Sequence, residues 1–361
     1  MEKVEAAMKD FAALLASRFL LAAVLTGTFS SGVSLAVAQT SPFYQGKTIR
    51  IIAGATPGGF YDRAARLLAR YMGKYLPGNP EIIVQNMPGA GSLVATNYIY
   101  SVAKGDGLTL AMPLSYIYLD QLTERKEVQF DVRKLNWIGA LDKTPMIFYI
   151  RADSPFRTIE DIAKAKEPPK CGASGTSSAS YILVRALEEA FGIRIVSVLG
   201  YPGGAEINLA VERGEVACAG MTLYAHFGRE PFGTWHKKGF DRHLVQTGRK
   251  RDARAPDTPT IYELMDKYTT PETGRRVIQV LFTGDEYGHP MIAPPDTPLE
   301  RVRLLREAYA KALRDPELLA EAKKENMELD PSTGEEQEAM MKEVMGQPSE
   351  VIQKLKKLLG Q

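Results

Sequence analysis

The stretch IRIIAGATPGGFYDRAARLLARYMGKY, residues 49–75, contains the unit on which the fold depends. Ile49–Gly54 is short, β-branched and apolar, which indicates a buried strand. Thr56–Gly59 consists of turn-forming residues, and Tyr61–Tyr75 has apolar residues at helical spacing. Strand, glycine turn and helix in this order form the βα unit of a parallel sheet.

The same unit recurs along the chain. Ile82–Gln85 is a second predicted strand, followed by the glycine turn Met87–Ser92 and the helix Leu93–Val102. The plan starts again at the predicted strand Met146–Ile150. It continues through the strand Lys170–Ala173, the turn Ser174–Ser178, the helix Ala179–Phe191, and the strands Ile193–Leu199 and Val216–Met221. Further helices are predicted nearer the C-terminus, at Leu299–Leu313, Pro316–Glu325 and Gly334–Met345.

These patterns predict an α/β fold of two lobes, each a mostly parallel sheet flanked by helices. Lobe 1 would comprise residues 39–145 plus 291–361, and lobe 2 residues 146–290. The length of 361 residues suits two domains. With 45 basic and 43 acidic residues, the formal net charge is +2, which favours neither nucleic acid nor an anionic membrane as partner. We expect a monomer with a small-molecule partner.

Residues 1–38 have the pattern of a signal peptide. The apolar run Phe19–Leu25 is followed by small residues that end in Ala36-Val37-Ala38, a typical cleavage site. Acidic residues balance the basic ones before this run, where a positive segment is typical. The alternative is an uncleaved anchor, but the run is shorter than the roughly 18 to 20 residues of a membrane span. We therefore predict export to the periplasm.

Cys171 and Cys218 are the only cysteines, and their separation of 47 residues (218 − 171) excludes a CxxC pair. In an exported protein they can form a disulfide. The alternative is two buried thiols that act as small apolar residues.

Three predicted turns are unusually small and polar: Thr56–Gly59, Pro88–Ser92 and Ser174–Ser178. In an open parallel sheet, ligands bind beyond the carboxyl ends of the strands, where such turns lie. Each turn leads into a helix, whose first N–H groups and dipole favour a carboxylate or phosphate. Helix capping alone is the alternative for any one turn. It explains three turns in two halves of the chain less easily.

Enzyme and cofactor motifs fail in detail. Gly89–Val94 lacks the third glycine of the dinucleotide fingerprint, and Gly46-Lys47-Thr48 lacks the first glycine of a phosphate-binding loop, because position 41 is Ser. Gly175–Ala179 resembles a nucleophile elbow but ends in alanine. The rival hypothesis is a periplasmic hydrolase that uses Ser174 or Ser177. We predict no catalysis, no cofactor and no metal, since the four histidines show no metal-ligand spacing: His226, His236, His243 and His289.

The ordered set of motifs resembles the extracytoplasmic receptors of tripartite tricarboxylate transporters, the Bug family. The motifs run from residue 46 to residue 298: Gly46–Arg50, Pro57–Asp62, Gln85–Gly91, Ala152–Pro155, Gly172–Ser178, Pro202–Gly204, Asp257–Thr260 and Ala293–Pro298. Each motif is weak by itself, but their order is specific. One departure is the strand Val216–Met221, where the family often has an acidic residue and this chain has Ala217 and Cys218.

The resemblance implies a type II-like periplasmic binding protein that captures a small organic carboxylate in the cleft between its lobes and delivers it to transporter membrane subunits. A sensor for a signalling partner would share this binding chemistry. The predicted linkers are Pro145–Ile150 and Met291–Ala293. The predicted ligand-binding residues, with one tyrosine near the first turn, are Pro57, Gly58, Gly59, Tyr61, Ala90, Gly91, Ser92, Ser174, Gly175, Thr176, Ser177, Ser178, Gly203 and Gly204.

Overall fold

The computed structural model describes residues 42–173, 178–201, 204–228 and 230–359. The strands are β1 (Thr48–Ala53), β2 (Glu81–Asn86), β3 (Thr109–Met112), β4 (Asn136–Ala140), β5 (Met146–Arg151), β6 (Lys170–Gly172), β7 (Val196–Val198), β8 (Cys218–Thr222), β9 (Asp241–Gln246), β10 (Pro290–Ala293) and β11 (Ser332–Thr333). The helices are α1 (Phe60–Met72), α2 (Leu93–Ser101), α3 (Ile117–Leu122), α4 (Ile159–Ala163), α5 (Ala179–Phe191), α6 (Gly204–Arg213), α7 (Leu223–Gly228), α8 (Phe232–Lys238), α9 (Ile261–Lys267), α10 (Glu272–Tyr287), α11 (Leu299–Ala312), α12 (Pro316–Lys324), α13 (Gly334–Met345) and α14 (Ser349–Leu359).

The strands form two sheets. The first has the order β11-β4-β10-β3-β1-β2, and the second has the order β7-β6-β8-β5-β9. β1, β2 and β3 are parallel, whereas β10 is antiparallel to both of its neighbours. In the second sheet β5 is the antiparallel strand, between β8 and β9. The predicted α/β class is confirmed, with the refinement that both sheets are mixed: one inner strand of each runs against the majority, and in the first sheet the short edge strand β11 does so as well.

The quoted stretch folds as its pattern predicts because β1 is an inner strand. Ile51 and Ile52 are fully buried, and α1 covers the sheet with an apolar face that includes Leu67 and Leu68. The α-helix ends at Met72, and Gly73–Tyr75 continues it as a 3₁₀ turn to the predicted end at Tyr75. At Gly73 a Cβ would lie 2.5 Å from the Pro80 carbonyl oxygen, so the close passage of Pro80 leaves no room for a larger residue there.

The chain crosses between the sheets twice, between Ala140 and Met146 and between Gln246 and Pro290. The predicted linkers, Pro145–Ile150 and Met291–Ala293, overlap the strands β5 and β10 and are not themselves the crossings. β5 belongs wholly to the second sheet, and β10 belongs to the first. Both crossings lie just before these strands. They also contact each other, because Leu141 donates its N–H to the His289 carbonyl at 3.2 Å and Thr144 donates to the Asp285 carbonyl at 2.8 Å.

Cys171 and Cys218 lie opposite each other on the neighbouring strands β6 and β8. Their Cα atoms are 4.4 Å apart, and the two sulfurs form a disulfide. Of the two alternatives that the sequence left open, the structure has the covalent one.

Among the residues that the structure describes, no helix has both the length and the apolar character of a membrane span. The predicted leader, residues 1–38, lies outside the described residues.

Candidate ligand-binding cleft

Two of the predicted turns meet at one edge of the first sheet. β1 is parallel to β2 and β3, and their last residues, Ala53, Asn86 and Met112, lie side by side. The segments that follow these strands therefore leave the sheet together. Their contact is close, since a Cβ on Gly54 would lie only 1.8 Å from the Ser92 hydroxyl oxygen.

Asp62 in the first turn of α1 fixes the shape of the first glycine turn. Its carboxylate accepts the Gly58 N–H at 2.8 Å and the Asn86 side-chain amide at 2.9 Å, and it pairs with Arg66. Burial acts to raise the pKa of Asp62, but the hydrogen bonds from Arg66, Gly58 and Asn86 outweigh it, so the pKa lies below its ordinary value. The ionised carboxylate of Asp62 therefore stabilises the conformation of this turn.

The second turn has an unusual backbone. Gly89, Ala90, Gly91 and Ser92 have φ values of 145, 46, 67 and 75°. Positive φ is uncommon for alanine and serine, and such strain tends to occur where a structure positions a functional segment. No heavy atom lies within 4 Å of the place that a Cβ on Gly91 would take, and the same holds for Gly58. Among the described residues, both glycines therefore face open space.

A cavity of about 530 Å³ lies between the two sheets. The first lobe contributes Gly58, Gly59, Phe60 and Arg63, together with residues that follow α12; the crossings contribute residues 142–144 and His289; the second lobe contributes Thr222, Tyr224, Ala225 and Gly228. A cleft with walls from both lobes and from both crossings is a typical position for a small-molecule site.

Gly58 and Gly59 are the predicted ligand residues that line this cavity within the described chain. Pro57 is exposed just before them, and Ala90–Ser92 lies at the same sheet edge without lining the cavity. The predicted residues Ser174, Gly175, Thr176, Ser177 and Gly203 lie outside the described residues.

Three other predicted residues have positions in the fold that the structure describes. The Tyr61 hydroxyl lies 2.9 Å from the Ser115 hydroxyl oxygen and accepts the Ser115 N–H. Burial raises the pKa of Tyr61 to about 12, although the bonds from Ser115 oppose the shift. Ser178 caps α5 by accepting the Tyr181 N–H at 3.4 Å, and Gly204 begins α6.

Arg63 provides a positive charge in the cleft that the sequence analysis did not single out. Its half-buried side chain lines the cavity, with the guanidinium carbon 5.7 Å from the centre of the Phe60 ring. No carboxylate in the described part of the chain lies within ion-pairing distance of it, whereas Arg66, one turn along, pairs with Asp62. In the sequence, the indication of this role was the position of Arg63 in the first turn of the helix that follows the glycines.

Aromatic rings form the apolar wall of the cleft. Phe60 and Tyr61 lie 4.2 and 4.3 Å from the His289 ring, and Phe60 approaches Tyr224 of the second lobe edge-on at 6.4 Å. His289 is oriented by Asp142, whose carboxylate oxygen lies 2.7 Å from Nδ1. Of these rings, Phe60, Tyr224 and His289 line the cavity itself.

A buried carboxyl group joins the lobes beside the cleft. Asp285 accepts hydrogen bonds from Tyr116 of the first lobe at 2.6 Å and from Thr247 of the second lobe at 2.5 Å. Burial raises the pKa of Asp285 to about 7, against the lowering effect of these two bonds. Tyr116 is therefore a residue of the crossing region and not of the ligand wall.

Two α/β lobes, each with one inner strand reversed, two contacting crossings and a cavity between the lobes define the class of two-lobed binding proteins. A family model described as "Tripartite tricarboxylate transporter family receptor" matches residues 64–357. The chain therefore belongs to this family, as the order of its motifs predicted, and is a solute-binding receptor.

Individual relatives agree with this assignment. A Cupriavidus necator protein described as "UPF0065 protein in gbd 5'region" is 30% identical over 311 residues, which cover 85% of this chain and 86% of that protein. A TctC solute-binding protein from Polaromonas has a TM-score of 0.66 at 21% identity, covering 88% of this chain and 99% of that one. An R. palustris protein solved with adipate has a TM-score of 0.60 at 18% identity, covering 87% and 98%. At these identities, the two solved structures establish the fold.

Proposed function

We propose that this receptor binds a small organic carboxylate in the cleft and delivers it to the membrane subunits of a tripartite transporter. The observation that carries the proposal is the position of Arg63, a half-buried cation next to the turn Gly58–Gly59 at the start of α1. Guanidinium groups bind carboxylates through paired charge-assisted hydrogen bonds. A helix start adds N–H donors and a favourable dipole.

The remaining walls suit the rest of such a ligand. Phe60 and Tyr224 offer ring surface from opposite lobes to a carbon chain. Thr222 and Lys143 add a hydroxyl and a second cation to the cavity. A relative of the same fold was solved with adipate, a dicarboxylate with an apolar middle.

Capture requires that the ligand favours the closed arrangement of the lobes. A ligand shifts such an equilibrium only by its difference in affinity for the two forms. Contacts with Arg63 on one lobe and with Tyr224 on the other exist together only when the lobes are close. We propose that residues 39–145 plus 291–361 and residues 146–290 move as the two bodies, about the crossings near Asp142 and His289.

The proposal includes a periplasmic location after removal of residues 1–38, a monomeric state and no turnover of the ligand. Tag-free protein is denatured, and the released small molecules are identified by mass spectrometry. An unchanged carboxylate supports a receptor. Conversion of added esters or amides to acids by the purified protein would support a hydrolase instead.

Ligand class is tested by thermal shift with mono-, di- and tricarboxylates, each paired with its neutral amide. A carboxylate at about 100 times its Kd should stabilise the protein by roughly 2.7 kcal/mol, or a few degrees in Tm. The matched amides should give no shift, because they lack the charge that Arg63 recognises. Equal shifts for acid and amide, or no shift with any acid, would contradict the proposal.

A further inference from the structure

Three histidines and one aspartate converge in the second lobe, outside the cleft contacts described above. His226 is on α7, His236 on α8, and Asp241 and His243 on β9. One ligand atom from each residue lies within 4.8 Å of all the others. The cluster therefore joins three elements at one point.

The distances within the cluster are short. The Nε2 atom of His226 is 2.8 Å from that of His243, 3.1 Å from that of His236 and 2.9 Å from Asp241 Oδ2. The same carboxylate oxygen is 3.1 Å from His243 Nε2 and 3.5 Å from His236 Nε2. Three ring nitrogens and one oxygen thus form a compact group.

Hydrogen bonds alone do not satisfy this arrangement. A ring nitrogen has either one proton or one lone pair in the ring plane, so it forms one good hydrogen bond. His226 Nε2 has three polar neighbours within 3.1 Å, and two of them are ring nitrogens with the same restriction. A cation at the centre would instead accept the lone pairs of all three nitrogens together.

The burial of the cluster and the charge of its carboxylate also favour a bound cation. His226 is fully buried, and the Asp241 side chain is 1% exposed. The other carboxylate oxygen of Asp241, Oδ1, is buried without a hydrogen-bond partner among the described residues. A buried carboxylate is costly unless an opposite charge or a metal compensates it.

We propose that His226, His236, His243 and Asp241 form a binding site for a divalent transition-metal ion, with Zn²⁺ as the best fit. Zn²⁺ prefers four tetrahedral nitrogen and oxygen ligands at about 2.0–2.2 Å, which places neighbouring ligand atoms about 3.3 Å apart. Five of the six distances between the ligand atoms, 2.8 to 3.5 Å, bracket that value, and all the ligand atoms lie within 4.8 Å of one another. Four protein ligands complete the coordination, so the ion has a structural role.

The site also bears on the cleft. α7 contributes Tyr224 and Ala225 to the cavity and His226 to the cluster. A metal ion that joins α7 to α8 and β9 would hold this wall of the cleft in place. Metal binding would thus stabilise the second lobe without contacting the carboxylate ligand.

The test uses full-length protein without a histidine tag, stripped with a chelator and titrated with Zn²⁺ by calorimetry. We expect one ion per chain and a rise in Tm. His236→Ala and His243→Ala each remove one partly exposed ligand. Each should weaken Zn²⁺ binding at least about 100-fold, since mutation of a residue that only hydrogen-bonds to a metal ligand typically lowers metal affinity 10- to 100-fold. Lys237→Ala, the adjacent exposed residue on α8, is the matched control and should bind Zn²⁺ like the wild type.

Co²⁺ provides a second readout, because tetrahedral Co²⁺ absorbs visible light much more strongly than octahedral Co²⁺. The wild type and Lys237→Ala should show the tetrahedral band, and both histidine variants should lose it. Metal-free melting curves separate loss of the site from loss of the fold. The assignment would be overturned if the wild type bound Zn²⁺ no more tightly than folded His236→Ala. A Co²⁺ spectrum of octahedral type would also overturn it.

Discussion

Replacement of Arg63 by glutamine tests the proposed carboxylate recognition most directly. The change removes the charge while keeping a side chain of similar length beside Gly58–Gly59. A hydrogen bond to a charged group contributes roughly 1.5–3 kcal/mol, and the half-buried position of Arg63 favours the lower part of that range. A loss of about 1.5–2 kcal/mol corresponds to an increase in Kd of about 10- to 30-fold.

The assay is calorimetric titration with the carboxylate that gives the largest thermal shift. Arg70→Gln is the matched control, since Arg70 lies on the same helix without lining the cavity, and it pairs most closely with Glu321, which does not line the cavity either. Arg70→Gln should leave Kd within about twofold of the wild type. If Arg63→Gln also stays within twofold while both variants melt like the wild type, Arg63 does not bind the ligand and the reasoning fails.

Two further predictions concern the sheet edge and the crossing region. Gly54→Ala places a Cβ 1.8 Å from the Ser92 hydroxyl oxygen, so we expect a loss of about 1–3 kcal/mol in stability and weaker ligand binding. Adding Ser92→Gly removes the clash and should restore both; a denaturant melt in which the double variant is no better than Gly54→Ala would contradict this contact. Asp285 has a pKa raised by burial to about 7, so the stability from its protonated form is complete below about pH 4 and is lost as pH rises to about 7. Asp285→Asn cannot ionise, so its Tm relative to that of the wild type should rise from pH 4 to pH 7, and a pH-independent difference would contradict a raised pKa of Asp285.

Much of the fold could be predicted because its strands, turns and helices depend on patterns of residues that are close in sequence. The strand, turn and helix of residues 49–75 follow from residue types that are close in sequence. α5 and α13 have the predicted boundaries, since Ser178 and Thr333 cap them with side-chain hydrogen bonds. The reversed strand of each sheet was not predicted, because strand direction depends on where the chain enters from the other lobe.

The cleft was predicted less completely. The glycine turns were visible because glycine, proline and serine are turn-forming residues at any position. Arg63 was missed because a basic residue on a helix is usually solvated, and only the packing shows that it lines the cavity without a described carboxylate at ion-pairing distance. The histidine cluster was missed for a similar reason: its spacing of 10, 5 and 2 residues (226, 236, 241, 243) matches no metal motif, and its ligands come from three elements.

The sequence by itself determined the α/β class, the family and the two glycine turns at the first sheet edge, because each depends on short-range patterns or on the order of motifs. Only the tertiary structure decided which side chains share a space: Arg63 with Tyr224 across the cleft, Asp285 between the lobes, and three histidines around Asp241. These groups are assembled from separate elements, and the first two also from residues far apart in the chain. Their distances are fixed by the packing of whole elements, and residue type and spacing do not contain that information.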